Sequence, residues 1–371
     1  MNATQPGDRK ILAATDLGRL FQALHADDRR VVGPTVRDQV IVYAPLDGPE
    51  DLPKGWTDVQ EAGQYRLRRR DDDALFGYNL GPDSWKKFLH PARLRLLRLE
   101  REGRGFRVAG EGERAPRLAI LGARACELAA ITAQDRVFLQ SGVRDPHYAA
   151  RREGLLLIAV QCAQAAPTCF CPSMGTGPRV HQPYDLALTE ILDGVHRFVV
   201  EVGTPAGAAL LDRLPTVPAD PQDDAAPEAA SARALAQISK RLPTEGLRER
   251  LLAAVEGPHW EQVAQRCLGC ANCTMVCPTC FCTTVQDTTD LTGAAERVRL
   301  WDSCFTLDFS HLHGGSVRAT LASRYRQWLT HKLATWHDQF GSSGCVGCGR
   351  CTTWCPAGID LVAEATAAAK P

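Results

Sequence analysis

The sequence has no long apolar run. Its opening segment, MNATQPGDRKILAATDLGRL, holds no apolar core of signal-peptide length, and no stretch of about 18 apolar residues occurs anywhere. The expectation is a soluble, cytoplasmic protein with no membrane contact. Net charge is also missing: Lys plus Arg and Asp plus Glu number 43 each. No field favours nucleic acid or an anionic surface. Nor is there a G-x-G-x-x-G opening a helix after a strand, a P-loop or a haem attachment motif. The ten histidines are scattered. A chain without these carries out no bond-making chemistry of the usual nucleotide-dependent kinds on its own.

What it does have is cysteine. Fifteen occur in 371 residues that are 44% hydrophobic, enough for real cores without staples. In a reducing compartment such clustered thiols read as metal ligands or redox groups rather than disulfides.

The first 200 or so residues read as mixed α/β. Strand-like runs lie at Val36 to Leu46, Arg117 to Leu121, Leu155 to Val160 and Val195 to Val202, and helical spacing fits Leu17 to Leu24 and Cys126 to Val137. The segment 204–232, rich in Pro, Ala and Asp, reads as a linker. Arg233 to Cys267 reads as helical with a break near Pro258. Arg324 to Phe340 reads as a helix with an aromatic stripe, stopping at Gly341. The run Arg66 to Arg70, entering Asp71 to Asp73, reads as a solvated turn, and Lys86 and Lys87 as a solvated helix start or a face for an acidic partner.

Cys267, Cys270, Cys273 and Cys277, followed by Pro278, repeat as Cys345, Cys348, Cys351 and Cys355, followed by Pro356. Both are C-x-x-C-x-x-C-x-x-x-C-P, the two-cluster bacterial ferredoxin run. Short gaps let the backbone wrap a cubane, three thiolates meeting three irons, while the fourth reaches across to the other cluster. The expected sets are Cys267, Cys270, Cys273 and Cys355 for one [4Fe-4S] cluster, and Cys345, Cys348, Cys351 and Cys277 for the second. Structural zinc favours two separated C-x-x-C pairs, a pattern this run does not follow.

Four more cysteines lie in the first region. Cys126 follows one expected strand; Cys162, Cys169 and Cys171 follow another. Four thiols converging at strand ends suit a third [4Fe-4S] cluster, and buried core thiols or a zinc site stand as alternatives. Gly175 to Gly177 reads as a turn beside Cys171, and His181 as solvent-facing. Cys280, Cys282 and Cys304 are too few to complete a cubane and read as structural thiols.

The expectation is therefore an α+β protein. A mixed α/β domain over 1–203 and a linker over 204–232 precede a helical, bacterial-ferredoxin-like 2x[4Fe-4S] domain over 233–371, interrupted by a long insertion at 283–344.

The blocks LGARACELAAITAQDRVFL (121–139), Cys162 to Leu188 with CFC and YDLAL, CLGCANCTMVCPTCFCTTVQD (267–287), RLWDSC (299–304) and GCVGCGRCTTWCP (344–356) carry a resemblance over most of the chain. The sequence resembles the iron-sulfur beta subunit of cytoplasmic NAD(P)-linked [NiFe] hydrogenases of the sulfhydrogenase type, and more distantly the electron-transfer subunit of anaerobic sulfite reductase. The resemblance implies a non-catalytic electron wire. It would join a flavin- and NAD(P)H-binding diaphorase-like subunit to the hydrogenase small subunit through three cubanes. The alternatives are the equivalent subunit of a sulfite reductase-like complex and an independent reductase whose third cluster keeps an open iron.

Overall fold

The computed structural model describes residues 3–79, 81–109 and 115–370. At its centre is an eight-stranded sheet in the order Thr216–Pro218, Arg9–Ala13, Arg197–Val202, Leu186–Ile191, Leu156–Val160, Leu118–Ala123, Arg30–Arg37, Val40–Pro45. Leu186–Ile191, Leu156–Val160, Leu118–Ala123 and Arg30–Arg37 pair in parallel, and the strands on either side of them, Arg197–Val202 and Val40–Pro45, pair antiparallel. Leu118–Ala123 and Leu156–Val160 are buried at every position, as strands covered on both faces must be. The run read as one strand from Val36 to Leu46 is instead a hairpin. Asp38 and Gln39 both take positive φ (48° and 60°), giving a tight turn whose twist suits the two flanking strands.

The expected linker is ordered secondary structure. Helix Pro205–Leu211 starts with the Thr204 hydroxyl accepting from Gly207 N at 3.1 Å, and Asp220 caps Pro221–Asp224 in the same way. Thr216–Pro218 pairs with Arg9–Ala13, and Ala226–Gln237 buries Ala230 and Ala234. Pro205, Pro221 and Pro227 stand at first helical turns, where the missing N–H costs nothing, Pro218 ends an edge strand, and the alanines are strong helix formers. Downstream, helices at Leu247–Ala253 and His259–Ala264 leave 238–246 non-helical, so the expected helical stretch is broken there as well as at Pro258.

Contacts cross the expected boundary throughout. A second, antiparallel sheet has the order Thr283–Thr289, Ala295–Trp301, Arg93–Glu102, Gly105–Val108, so two strands from the insertion pair with two from the first region. The two C-F-C tripeptides make a reciprocal exchange. Phe170 is buried in the C-terminal core with Trp260, Phe305 and Leu329, while Phe281 packs edge-on to Phe138 of the helix Ala125–Leu139. The aromatic helix runs as Leu321–Thr330, a π-helical turn at His331–Thr335, and Trp336–Phe340, ending at Gly341 with φ +68°.

Three charged side chains, Arg350, Glu127 and Lys86, are buried in this junction. Arg350 donates to Glu127 at 2.8 Å, and the two are 1% and 0% exposed; Glu127 also accepts from the Tyr43 hydroxyl at 2.7 Å and from Arg124 N. Lys86, expected in solvent, is 3% exposed. Its ammonium donates to the carbonyls of Cys277 (2.9 Å), Met275 and Cys280 (3.3 Å each) and lies 4.0 Å over the Trp301 ring. The aliphatic stem fits the core and the carbonyls of a cysteine turn satisfy the head, which no periodicity argument could foresee.

Removing one partner of a buried ion pair leaves the other uncompensated. Glu127→Ala should lower the unfolding free energy by about 3–5 kcal/mol, measured by anaerobic chemical denaturation, and Glu127→Leu with Arg350→Met should recover much of it. A loss below about 1 kcal/mol in the single variant would mean that water screens the pair.

Candidate metal centres

The duplicated motifs carry matching backbone signs. Gly269 and Gly347 take φ +63° and +65°, Ala271 and Gly349 take +64° and +73°, and a one-turn helix follows each, Asn272–Met275 and Arg350–Thr353. In both copies the left-handed residue turns an amide toward sulfur: Gly269 N donates to Cys267 Sγ and Gly347 N to Cys345 Sγ, each at 3.4 Å. The Asn272 side-chain amide donates to Trp354 O, tying the first motif to the second.

Cys267, Cys270, Cys273 and Cys355 line one hollow, walled by Phe305, Tyr325, Trp328 and Ile359. Cys270 is exposed, so this site reaches the surface. Burial first, and then the neighbouring Cys345, Cys348 and Cys277, push the Cys351 thiol well above its ordinary value, so these four lie close together. The structure thus brings cysteines of both motifs together at two places.

The first-region tetrad also converges. Cys126 begins the helix after Leu118–Ala123 and Cys162 follows Leu156–Val160, both at the carboxyl ends of parallel strands, where α/β sheets form their binding crevice. With Cys169 and Cys171 they line a hollow whose remaining wall includes Tyr78, Arg124, Ile238 and Cys348. Arg124 is buried, donating to the carbonyls of Gln161, Phe76 and Tyr78, and stands beside the Cys162 sulfur. His181 is exposed, away from ligation. Gly177 sits against Cys171, and the turn contains Gly175 at φ +65°.

The order of the three sites follows from two shared cysteines. Cys351 borders the hollow of Cys267, Cys270, Cys273 and Cys355, and Cys348 borders the hollow of the tetrad. Both belong to the Cys277, Cys345, Cys348, Cys351 set, which therefore lies between the other two.

Burial pushes most of these thiols up, Cys169 and Cys345 to about 12, and Cys126, Cys273 and Cys351 well above an ordinary thiol. A bound cationic centre is what can draw such thiols into the thiolate form. Among the described residues, no three His, Cys, Asp or Glu side chains close on a point as a single metal ion would require; the tetrad and the set with Cys355 each line a hollow instead. Donor number, thiolate chemistry and spacing fit cubanes better than zinc.

Cys282 and Cys304 line an open cleft with Phe281, Arg318, Gln327 and His331, a wall to which Cys280 does not contribute. The Cys280 thiol meets Cys277, and Cys304 meets Cys282, whose pKa is held down to about 7 by that hydrogen bond. The Asp302 N to Cys282 O bond, at 2.8 Å, continues the hairpin that brings Cys282 and Cys304 together. A surface cleft between Arg70 and Arg197 holds no cysteine, and both arginines are occupied, Arg70 by Asp72 and Arg197 by Asp223.

The paired wraps define an iron–sulfur protein of the two-cluster ferredoxin class, and residues 266–359 match the family model described as a 4Fe-4S dicluster domain. The sulfhydrogenase 2 subunit beta of Pyrococcus furiosus is 32% identical over 281 residues, covering 75% of this chain and 80% of that protein. The chain belongs to the sulfhydrogenase beta-subunit family. No solved structure matches it. Among the described residues no helix is long and apolar enough to cross a membrane.

The motif glycines explain themselves by what they touch. A Cβ on Gly347 would stand 2.6 Å from Cys171 Cα, and one on Gly349 2.3 Å from Thr168 O. Gly347→Ala should therefore push the 168–171 loop off its seat. Iron content should fall by about four per chain, one cubane, as read by metal analysis beside EPR spin counting. Unchanged iron would show that the loop yields without losing its thiols.

Proposed function

We propose that this chain is the electron-transfer subunit of a [NiFe] hydrogenase complex, relaying electrons between a diaphorase-like subunit that binds flavin and NAD(P)H and the hydrogenase small subunit. The observation that carries the reading is the row of three cysteine-lined sites joined through Cys351 and Cys348. In this reading Cys267, Cys270, Cys273 and Cys355 hold the first [4Fe-4S] cluster, Cys277, Cys345, Cys348 and Cys351 the second, and Cys126, Cys162, Cys169 and Cys171 a third. Bound cubanes supply one-electron redox chemistry over a wide span of potential.

The residues of the chain do the rest. The cysteines fix position, the aromatic and aliphatic walls keep water from the hollows, and the Gly269 and Gly347 amides hold sulfur charge. Exposed Cys270 marks one end of the row as a point of exchange with a partner. A complete tetrad at the other end supports a relay over a reductase with an open iron. The relative's name, a hydrogenase subunit beta, supports assembly with further subunits. A cytoplasmic setting accords with fifteen free cysteines.

An anaerobic preparation should hold about 12 irons and about 12 acid-labile sulfides per chain, three cubanes of four. Eight of each in a fully folded sample would remove the tetrad from the wire. In the assembled complex, Cys169→Ser should cut hydrogen-dependent NAD(P) reduction steeply and spare hydrogen-dependent dye reduction, because dye draws electrons nearer the nickel-iron site. Equal loss of both, with the complex dissociating, would indicate a folding role, and retention of both an ordinary buried thiol.

A further inference from the structure

The two ferredoxin wraps are not equivalent: at one of them a buried ammonium reaches a cysteine sulfur. Lys332 lies in the π-helical turn His331–Thr335 and is 3% exposed. Its ammonium donates to Cys277 Sγ at 3.3 Å, to Thr279 Oγ1 at 3.1 Å and to Gly344 O at 3.1 Å, using all three of its N–H groups. Gly344 N returns a bond to Lys332 O at 2.8 Å, and Thr279 Oγ1 lies 3.1 Å from Cys277 Sγ. The side chain is thus locked from both ends, with a sulfur, a hydroxyl and a carbonyl as partners in place of a carboxylate.

The extra residue of a π turn rotates the downstream residues relative to an α-helix, and such turns recur where function needs a side chain re-aimed. Here it lets Lys332 point at the cysteine while Trp328, Leu329 and Trp336 keep their places in the cores.

Cys355 is the duplicate of Cys277, and its surroundings differ. Its hollow is walled by Phe305, Tyr325, Trp328, Ile359 and Leu361. The cation acting on it, Arg266, is half exposed and donates to Glu364 at 2.7 Å, so its charge is neutralised and screened. A buried, unneutralised charge acts far more strongly than a screened one.

We propose that Lys332 raises the reduction potential of the middle cluster, the one held by Cys277, Cys345, Cys348 and Cys351, above that of its duplicate. Adding an electron adds negative charge, and a fixed ammonium bonded to a ligand sulfur stabilises the reduced state more than the oxidised one. The middle station is then filled first and held while electrons enter or leave at either end. This inference rests on the ligand assignment under the proposed function.

The test is EPR-monitored redox titration of the full anaerobic chain, with iron counted in every sample. Lys332→Met should lower the midpoint of one cluster so that its reduced-to-oxidised ratio at fixed potential falls about tenfold, about 59 mV for a one-electron couple, with the other midpoints unmoved. Lys332→Arg should stay near wild type. Should Met cost the cluster its iron, Lys332→Gln, which keeps a hydrogen-bond donor without charge, carries the same expectation. Unmoved midpoints in a neutral variant with full iron would overturn the proposal, as would an equal shift of every cluster. Loss of the cluster in both neutral variants, with Arg retaining it, would overturn it in favour of a structural role. A wild-type chain lacking the signals of two cubanes would instead sink the ligand assignment, leaving no midpoint to compare.

Discussion

One ion pair fixes how the two halves of this protein meet. Arg350 stands two residues after Cys348, and Glu127 directly after Cys126; their 2.8 Å contact is closed to water. A carboxylate and a guanidinium taken from water regain little unless geometry and further hydrogen bonds are good. Here Tyr43, Arg124 N and Gly81 O supply those bonds. Any displacement of the ferredoxin wrap from the helix Ala125–Leu139 would strand both charges, so the pair specifies a single arrangement of the tetrad relative to the middle cysteine set.

The surrounding packing obeys the same constraint. Gly347 and Gly349 admit the 168–171 loop at a distance no Cβ would allow, and Phe170 N donates to Gly347 O at 2.8 Å. The rings of the two C-F-C tripeptides each enter the opposite half's core, while Cys169 and Cys171 line the tetrad hollow and Cys282 meets Cys304. Lys86, from the first region, clamps the turn Met275 to Cys280 through three carbonyls. Cysteine hollows of this kind need rigid walls, and here every wall is shared between distant parts of the chain.

The two copies of the ferredoxin motif have nearly the same backbone and different environments. One opens at Cys270 and is lined by aromatic and aliphatic groups; the other is enclosed and faces Lys332. A gene duplication supplies symmetric ligands, and the insertion between the copies removes the symmetry. It sends a helix with a π turn past one set of cysteines and an apolar face past the other. Function can therefore differ between sites whose ligand spacing is identical.

The sequence alone determined the cysteine spacing that marks a 4Fe-4S dicluster domain. Spacing of three or four residues is local, and a backbone of given length can wrap a cubane in few ways, so Cys267 to Cys277 and Cys345 to Cys355 are readable directly. The buried apolar runs Leu118 to Leu121 and Leu156 to Val160 are readable for the same reason, since period and hydrophobicity are properties of a short window. The helical fate of 204–232 is written only in its cap positions, Thr204 and Asp220, which its loop-like composition masks. The burial of Lys86, the ion pair of Arg350 with Glu127, the order of the three sites and the aim of Lys332 belonged to the tertiary structure alone. Each depends on residues far apart in the chain meeting at ångström distances, and on a low-dielectric interior that no local pattern encodes.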